Sequence, residues 1–280
     1  MTRVFATLAM LVLCTPGYAG QGRLLATGGA SQVEGSAGGG TVPWAVLAGY
    51  GSRGQFGATA FFTRIDTNDY ALKAWGAAAG LSNRVELSAA RQRLDIGKLG
   101  LPFDALRQDI VGIKVRAFGD LVYGRAPQIA IGAQYKRVDD FTLPSAVAAE
   151  RRSDVDFYLS AARLFLAVAA RRNLLVNTTL RYSRANQGGL LGFGGDLEGS
   201  RSLLFEGSLA VLFNPRWALG VEYRQKPDNL SFAGEDDWKN AFVAWFPNKN
   251  ASLVASWVDL GSIANRNNQQ GLYLSLQLGY

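Results

Sequence analysis

The chain alternates apolar and polar residues in segments of about ten residues, separated by turn-forming residues. Residues 217–226 show the pattern clearly, with Leu219 and Val221 on one face and Glu222 and Arg224 on the other. Alternation with a period of two is typical of a β-strand that has different surroundings on its two faces. About thirteen segments fit this pattern: 44–51, 55–65, 71–81, 84–94, 108–118, 127–137, 155–166, 173–184, 202–213, 216–226, 237–247, 250–260 and 271–280.

The last segment is the most regular strand. Leucine occupies every second position from Leu272 to Leu278, and Tyr280 is the final residue. A strand that is wholly apolar on one face and polar on the other suits a transmembrane β-barrel, which has lipid outside and a wet lumen inside. The segment Leu272–Tyr280 also resembles the C-terminal signal that the barrel-assembly machinery recognises. We therefore expect that machinery, outer-membrane lipid and lipopolysaccharide as partners.

The connections between segments alternate between short and long, as in barrels with tight periplasmic turns and longer outer loops. The last strand then runs inward, and counting back makes segment 44–51 run inward too. Because the N-terminus should stay periplasmic, one strand must precede it, and residues 24–34 are the candidate. The sequence predicts an all-β fold: an antiparallel, up-and-down transmembrane β-barrel of about 14 strands, with 12 or 16 as alternatives.

The N-terminus has the pattern of a secretory signal peptide. Arg3 precedes the apolar stretch from Val4 to Leu13, which is too short to span a bilayer, and cleavage is expected after Ala19. The only cysteine, Cys14, would leave with residues 1–19. We expect residues 20–280 to form one domain, exported through the periplasm to the Gram-negative outer membrane.

Composition excludes several classes of function. The chain contains no histidine, so an imidazole base and histidine-ligated zinc are excluded, and we expect neither an enzyme nor a cofactor. The net charge of +7 is spread along the chain, which argues against nucleic-acid binding. The acidic stretches 226–229 and 235–238 flank an outer loop; clustered carboxylates can bind calcium, but they are more often solvated loop charge.

If the apolar faces contact lipid, the opposite faces line the lumen. The charged residues predicted to line the lumen are Lys114, Arg116, Lys136, Arg181, Glu206, Glu222 and Arg224. One interpretation is a passive or weakly selective channel for small hydrophilic solutes, with bases outnumbering acids on its wall. The other is that these charges pair with one another in a closed, non-conducting barrel that binds envelope lipid, polysaccharide or an export partner.

Several motifs resemble a proteobacterial family of exported proteins of unknown function. They cover nearly all of the mature chain and lie at residues 24–40, 42–44, 222–229, 235–238 and 242–249. The resemblance implies one exported domain of the outer-membrane β-barrel kind. It implies no activity, substrate or site residue.

Overall fold

In the computed structural model, which describes residues 22–97 and 104–280, twelve antiparallel strands form a closed barrel. Two further strands, β1 and β2, form a short hairpin inside it. The strands are β1 (Ala30–Ser31), β2 (Ala37–Gly38), β3 (Phe56–Thr67), β4 (Ala71–Leu81), β5 (Val85–Asp95), β6 (Ala105–Phe118), β7 (Gln128–Val138), β8 (Ser153–Ala169), β9 (Arg172–Ser183), β10 (Ser202–Asn214), β11 (Trp217–Arg224), β12 (Trp238–Asn248), β13 (Ala251–Asp259) and β14 (Gln270–Gly279). The all-β antiparallel barrel is confirmed.

The wall strands place their apolar residues outside. On β14, Leu272, Leu274, Leu276 and Leu278 are 43–57 % exposed, whereas Tyr273 is fully buried in the interior. The other wall strands repeat this pattern, so the outer surface is an apolar belt far larger than the patches that water-soluble monomers expose. An outward apolar belt of this kind is typical of barrel strands that contact lipid.

The barrel is closed by β3 and β14. Their register places Leu272 opposite Asp66 and Leu278 opposite Ala60. The preferred count of fourteen wall strands is therefore corrected to the stated alternative of twelve, because neither residues 24–34 nor residues 44–51 are wall strands. Residues 27–34 of the first segment and all of the second are buried inside the barrel, while Leu24 is exposed. Without these two segments the wall has twelve strands, which is still an even number, and its first strand is β3.

The two ends of the barrel differ in the length of their connections. One end, which we call the loop end, carries connections 68–70, 96–104, 139–152, 184–201, 225–237 and 260–269. The other, the turn end, carries connections 82–84, 119–127, 170–171, 215–216 and 249–250. Helix α1 (Thr142–Ala146) lies in a loop-end connection. Within the described ranges no helix has the length and apolar character to cross a membrane. The predicted signal peptide, residues 1–19, lies outside the described residues.

Candidate functional site

The lumen is occupied by the chain's own N-terminal segment. Residues 27–50, which we call the N-terminal plug, are buried throughout. Within the plug, β1 and β2 form a hairpin, and Gly35 at its turn has a φ of 99°, which glycine adopts without strain. The Ser31 hydroxyl donates to Oε1 of Gln277 on β14 at 2.7 Å. The N-terminal plug and the last strand therefore meet through side chains, and not as paired strands.

Polar side chains of the wall bond the plug's backbone. Glu222 accepts hydrogen bonds from the backbone amides of Gly40 and Thr41 at 3.0 and 2.8 Å. Glu86 accepts from two further plug amides, and Lys114 donates to two plug carbonyls at 2.8 and 2.9 Å. A buried backbone group without a partner is costly, and the plug has little secondary structure of its own. The wall therefore supplies the hydrogen bonds that a sheet would otherwise supply.

A balanced charge cluster holds the plug in the half of the barrel nearer the loop end, where Arg224 ends β11 and Lys136 lies two residues before the end of β7. The plug's Glu34 contacts Lys136 at 2.6 Å, Arg224 at 2.6 Å and Arg181 at 3.3 Å. Two wall carboxylates, from Asp156 and Glu206, complete what we call the central charge cluster. Its three cations face three carboxylates, and each of these side chains is at most 5 % exposed. Charges can be buried this deeply only when they are paired and hydrogen-bonded. Within this cluster, Glu34 compensates the one cation that the two wall carboxylates leave unbalanced.

The plug fits its seat closely. A Cβ atom at Gly39 would lie 1.8 Å from Oε1 of Glu222, so no larger residue fits without displacing that carboxylate. Towards the turn end, the Trp44 indole donates to Ser208 Oγ at 2.8 Å. The void beside Trp44 measures about 30 Å³, enough for about one water molecule. The lumen in this conformation is closed to solutes.

The loop end is covered by a second inward-folded segment. Residues 185–193 are mostly buried and enter the mouth of the barrel. The carbonyl of Gly188 accepts from Lys136 Nζ at 3.2 Å and from Gln108 Nε2 at 3.3 Å. Lys136 therefore contacts both the plug and this cover, and links the two closures.

A buried carboxylate in the loop-end connections makes this cover sensitive to pH. Glu235 accepts from the Gln187 amide at 2.8 Å and lies 3.5 Å from Lys226, with a side chain that is 2 % exposed. Burial raises the pKa of Glu235 from 4.5 to about 7, although Lys226 and the Gln187 amide oppose the shift.

Because this pKa is raised on folding, the contribution of Glu235 to cover stability is fully present below pH 4.5 and is lost as the pH rises to about 7. Amide hydrogen exchange in residues 184–191, normalised to intrinsic rates, is expected to accelerate across that window. Glu235→Gln should remove the acceleration, while Glu198→Gln, in the same connection as the cover, should preserve it. Identical profiles for the two variants would refute the assignment to Glu235.

The seven residues predicted to line the lumen all point inward. Six are buried, and they contact the plug or one another instead of bordering an open passage. Arg116 differs, because it lies near the turn end and pairs with Asp120 at 3.0 Å.

Sequence reasoning missed Glu34, Glu86 and Asp156. The sequence does set Glu34 apart, because it is the only charged residue between Arg23 and Arg53, and this isolation could have identified it as a functional residue. Within the described ranges, no group of carboxylates has the arrangement of a metal site. Asp237 of the acidic stretch bonds the backbone amide of Lys226 at 3.0 Å.

The structure resembles outer-membrane barrels of known structure. A KdgM porin aligns with a TM-score of 0.51 at 11 % identity, over 79 % of this chain and 99 % of that one. A KdgM porin in complex with disordered oligogalacturonate aligns with a TM-score of 0.51 at 10 % identity, over the same shares of the two chains. The outer-membrane protein Omp33 of Acinetobacter baumannii aligns with a TM-score of 0.48 at 9 % identity, over 82 % of this chain and 100 % of that one. At such low identity the likeness concerns the fold alone.

Among curated protein sequences, none matches the chain. One family profile does match, over residues 27–277, and it therefore includes both the N-terminal plug and the wall. The chain belongs to this family, described as a protein of unknown function, DUF3034.

Proposed function

We propose that the protein is an outer-membrane barrel through which small hydrophilic solutes pass when the N-terminal plug moves. The observation that carries this proposal is the nature of the plug's seat. The plug is held by charged and polar wall side chains, chiefly those around Glu34, Glu86 and Glu222. Once the plug leaves, the same side chains can hydrate and line a polar passage.

The released wall would be close to neutral. Buried along it are four bases, Lys114, Lys136, Arg181 and Arg224, and four acids, Glu86, Asp156, Glu206 and Glu222. Glu86 and Asp156 offset the excess of bases that the sequence indicated. A passage with interspersed charges of both signs favours weak selectivity over strong preference for one ion type.

Tethering the plug to the wall tests this function. With Ser31→Cys and Gln277→Cys, a short bis-methanethiosulfonate reagent can bridge β1 and β14 through two reducible disulfides, because these two side chains are in contact. We expect the unbridged protein to show conducting events in planar bilayers, the bridged protein to show none, and reduction to restore them. Each single-cysteine variant, treated in the same way, controls for the reagent.

A non-conducting barrel that binds envelope lipid, polysaccharide or an export partner is the second candidate. The close fit at Gly39 and the double closure favour it. One measurement distinguishes the two functions. Absence of ion conductance at all voltages, in both the native chain and a variant with a weakened plug, would exclude passage of solutes and favour binding.

A further inference from the structure

The outer surface of β3–β7 carries a dense group of bases near the loop end. The register places Arg64 opposite Lys73, Lys73 opposite Arg93, and Arg93 opposite Arg107. Two residues closer to the middle of the wall, Arg91 lies opposite Asp109, and Asp109 lies opposite Arg137. We call Arg64, Lys73, Arg91, Arg93, Arg107 and Arg137 the basic array.

The basic array lies directly above the apolar belt. Along the outward face of β3, Phe62 is followed by Arg64; along that of β6, Val111 is followed by Asp109 and Arg107 towards the loop end. Strands tilted by about 40° and spaced about 4.8 Å apart make such a row climb about 3 Å per strand. The six bases therefore occupy a band about 10 Å high, comparable to the headgroup region of a membrane leaflet.

The basic array retains positive charge after its internal pairing. Asp66 pairs with Arg64, Asp95 with Lys73 and Arg93, and Arg91 with Asp109 and Asp139. Four acids thus face six bases. Within residues 22–97 and 104–280, neither Arg107 nor Arg137 has a carboxylate at ion-pair distance. Two guanidinium groups are therefore available to an anion from outside the chain.

The opposite half of the barrel lacks this array. On the described outward faces of β9–β14, the loop end carries one base, Lys239, and Arg201 just before β10 is already paired with Asp154. On β14 the apolar face continues to Leu272, which lies opposite Asp66. Membrane contact alone would place bases all around the rim, so their concentration on one side indicates a specific partner.

A groove on the neighbouring outer surface, formed by β11–β14 and β3, borders the basic array at Arg64. It has a volume of about 490 Å³, its wall is almost wholly apolar, and Arg64 lies on its border beside Phe62. The remaining lining includes Leu274, Leu276, Leu253 and Val243. Its shape and chemistry suit an acyl chain that descends from a headgroup held at the level of Arg64.

We propose that the outer surface of β3–β7 binds a phosphorylated glycolipid of the outer leaflet, the lipid A portion of lipopolysaccharide. Its phosphates contact the basic array, with Arg107 and Arg137 as the main ligands, and an acyl chain lies in the groove beside Phe62. Guanidinium groups hold phosphate oxygens in paired hydrogen bonds, which lysine cannot match. The inference rests on the outer-membrane placement in the proposed function and is independent of conduction.

Native mass spectrometry in the presence of purified lipid A tests the site. We expect the native protein to retain bisphosphorylated lipid A in preference to its monophosphorylated form and to phosphatidylglycerol. Arg107→Gln with Arg137→Gln should lower the bound fraction about tenfold, because each base near a membrane surface contributes appreciably to anion binding. Arg107→Lys with Arg137→Lys should lower it less, because the charge remains.

The matched control is Lys239→Gln with Arg216→Gln, which removes two exposed bases away from the array. It should bind lipid A as the native chain does. Equal loss in the two double variants, or equal retention of phosphatidylglycerol and lipid A, would overturn the site. Each variant is first checked for heat-dependent mobility on SDS gels. Absence of the mobility shift in the native protein would contradict its placement as an outer-membrane barrel. A folded barrel that shows no preference for lipid A would contradict only the lipid A site.

Discussion

Replacing Glu34 by glutamine is expected to release the N-terminal plug. The substitution preserves the shape of the side chain and removes one of the three carboxylates that face Lys136, Arg181 and Arg224. An uncompensated charge then remains buried in the wall, and removal of one partner from such a pair typically costs about 3–5 kcal/mol. The proposed function requires the plug to leave while the barrel stays folded, so we expect that cost to appear mainly as undocking of the plug.

Accessibility of a thiol in the plug measures this release. Ser31→Cys introduces a thiol at a position that is 2 % exposed, and Cys14 would be removed with the predicted signal peptide. Adding Glu34→Gln should raise the rate of labelling by a water-soluble maleimide about a hundredfold or more, the factor that corresponds to about 3 kcal/mol. Glu150→Gln, an exposed acid in a loop-end connection, should leave the rate unchanged.

A compensating variant separates charge balance from simple damage. Glu34→Gln combined with Arg224→Gln leaves two cations, Lys136 and Arg181, facing two carboxylates, Asp156 and Glu206. If charge balance is what holds the plug, this double variant should label more slowly than Glu34→Gln alone, a non-additivity expected of residues in one network. Additive or greater labelling would instead mean that each contact acts on its own.

Local alternation predicted most of the wall because lipid and lumen impose opposite demands on neighbouring residues. The prediction at residues 202–213 closely matches β10, and that at 271–280 nearly coincides with β14. Each wall residue interacts mainly with what its own face meets, so the pattern can be read one strand at a time. The number of strands could not be read this way, since it depends on what the N-terminal segment does.

Residues 44–51 show why the N-terminal segment was misread. They are Trp-Ala-Val-Leu-Ala-Gly-Tyr-Gly, whose side chains are apolar or small on both faces and carry no polar group besides the Trp44 indole N–H and the Tyr50 hydroxyl. A wall strand with a lumen-facing row should carry polar residues there, as β11 does with Glu222 and Arg224. A run that is apolar or small on both faces is instead typical of a segment buried on all sides, which is what the plug is.

The charged lumen was predictable in its direction but not in its contacts. Glu206 and Arg181 are placed inward by alternation alone. That they meet each other and Glu34 depends on the register of β9 with β10 and on the path of the plug, and neither is encoded locally. The sequence therefore predicted which charged side chains face the lumen. It did not predict their contact with Glu34, because that residue lies in a segment that the sequence assigned to the wall.

The outward leucines of β14 make the membrane placement testable with a single charge. Leu276 lies opposite Leu253 on β13 and Phe62 on β3, well within the apolar belt. Arginine on the lipid-facing side of a barrel strand costs about 2–4 kcal/mol at the middle of a bilayer and about 0–1 kcal/mol near its interfaces. Leu276→Arg should therefore destabilise the folded barrel by about 2–4 kcal/mol in phospholipid vesicles.

The matched control is Gln270→Arg, on the same strand and the same outward face but at the loop end. Its cost should not exceed about 1 kcal/mol, because the side chain reaches the interface. The free energy of unfolding of both variants is measured by reversible denaturant unfolding, with the heat-dependent mobility shift on SDS gels as the readout of folded protein. Equal free energies of unfolding for Leu276→Arg and the native chain would mean that this face of β14 does not lie in the bilayer. A large cost at Leu276 with a small one at Gln270 would locate the bilayer along β14.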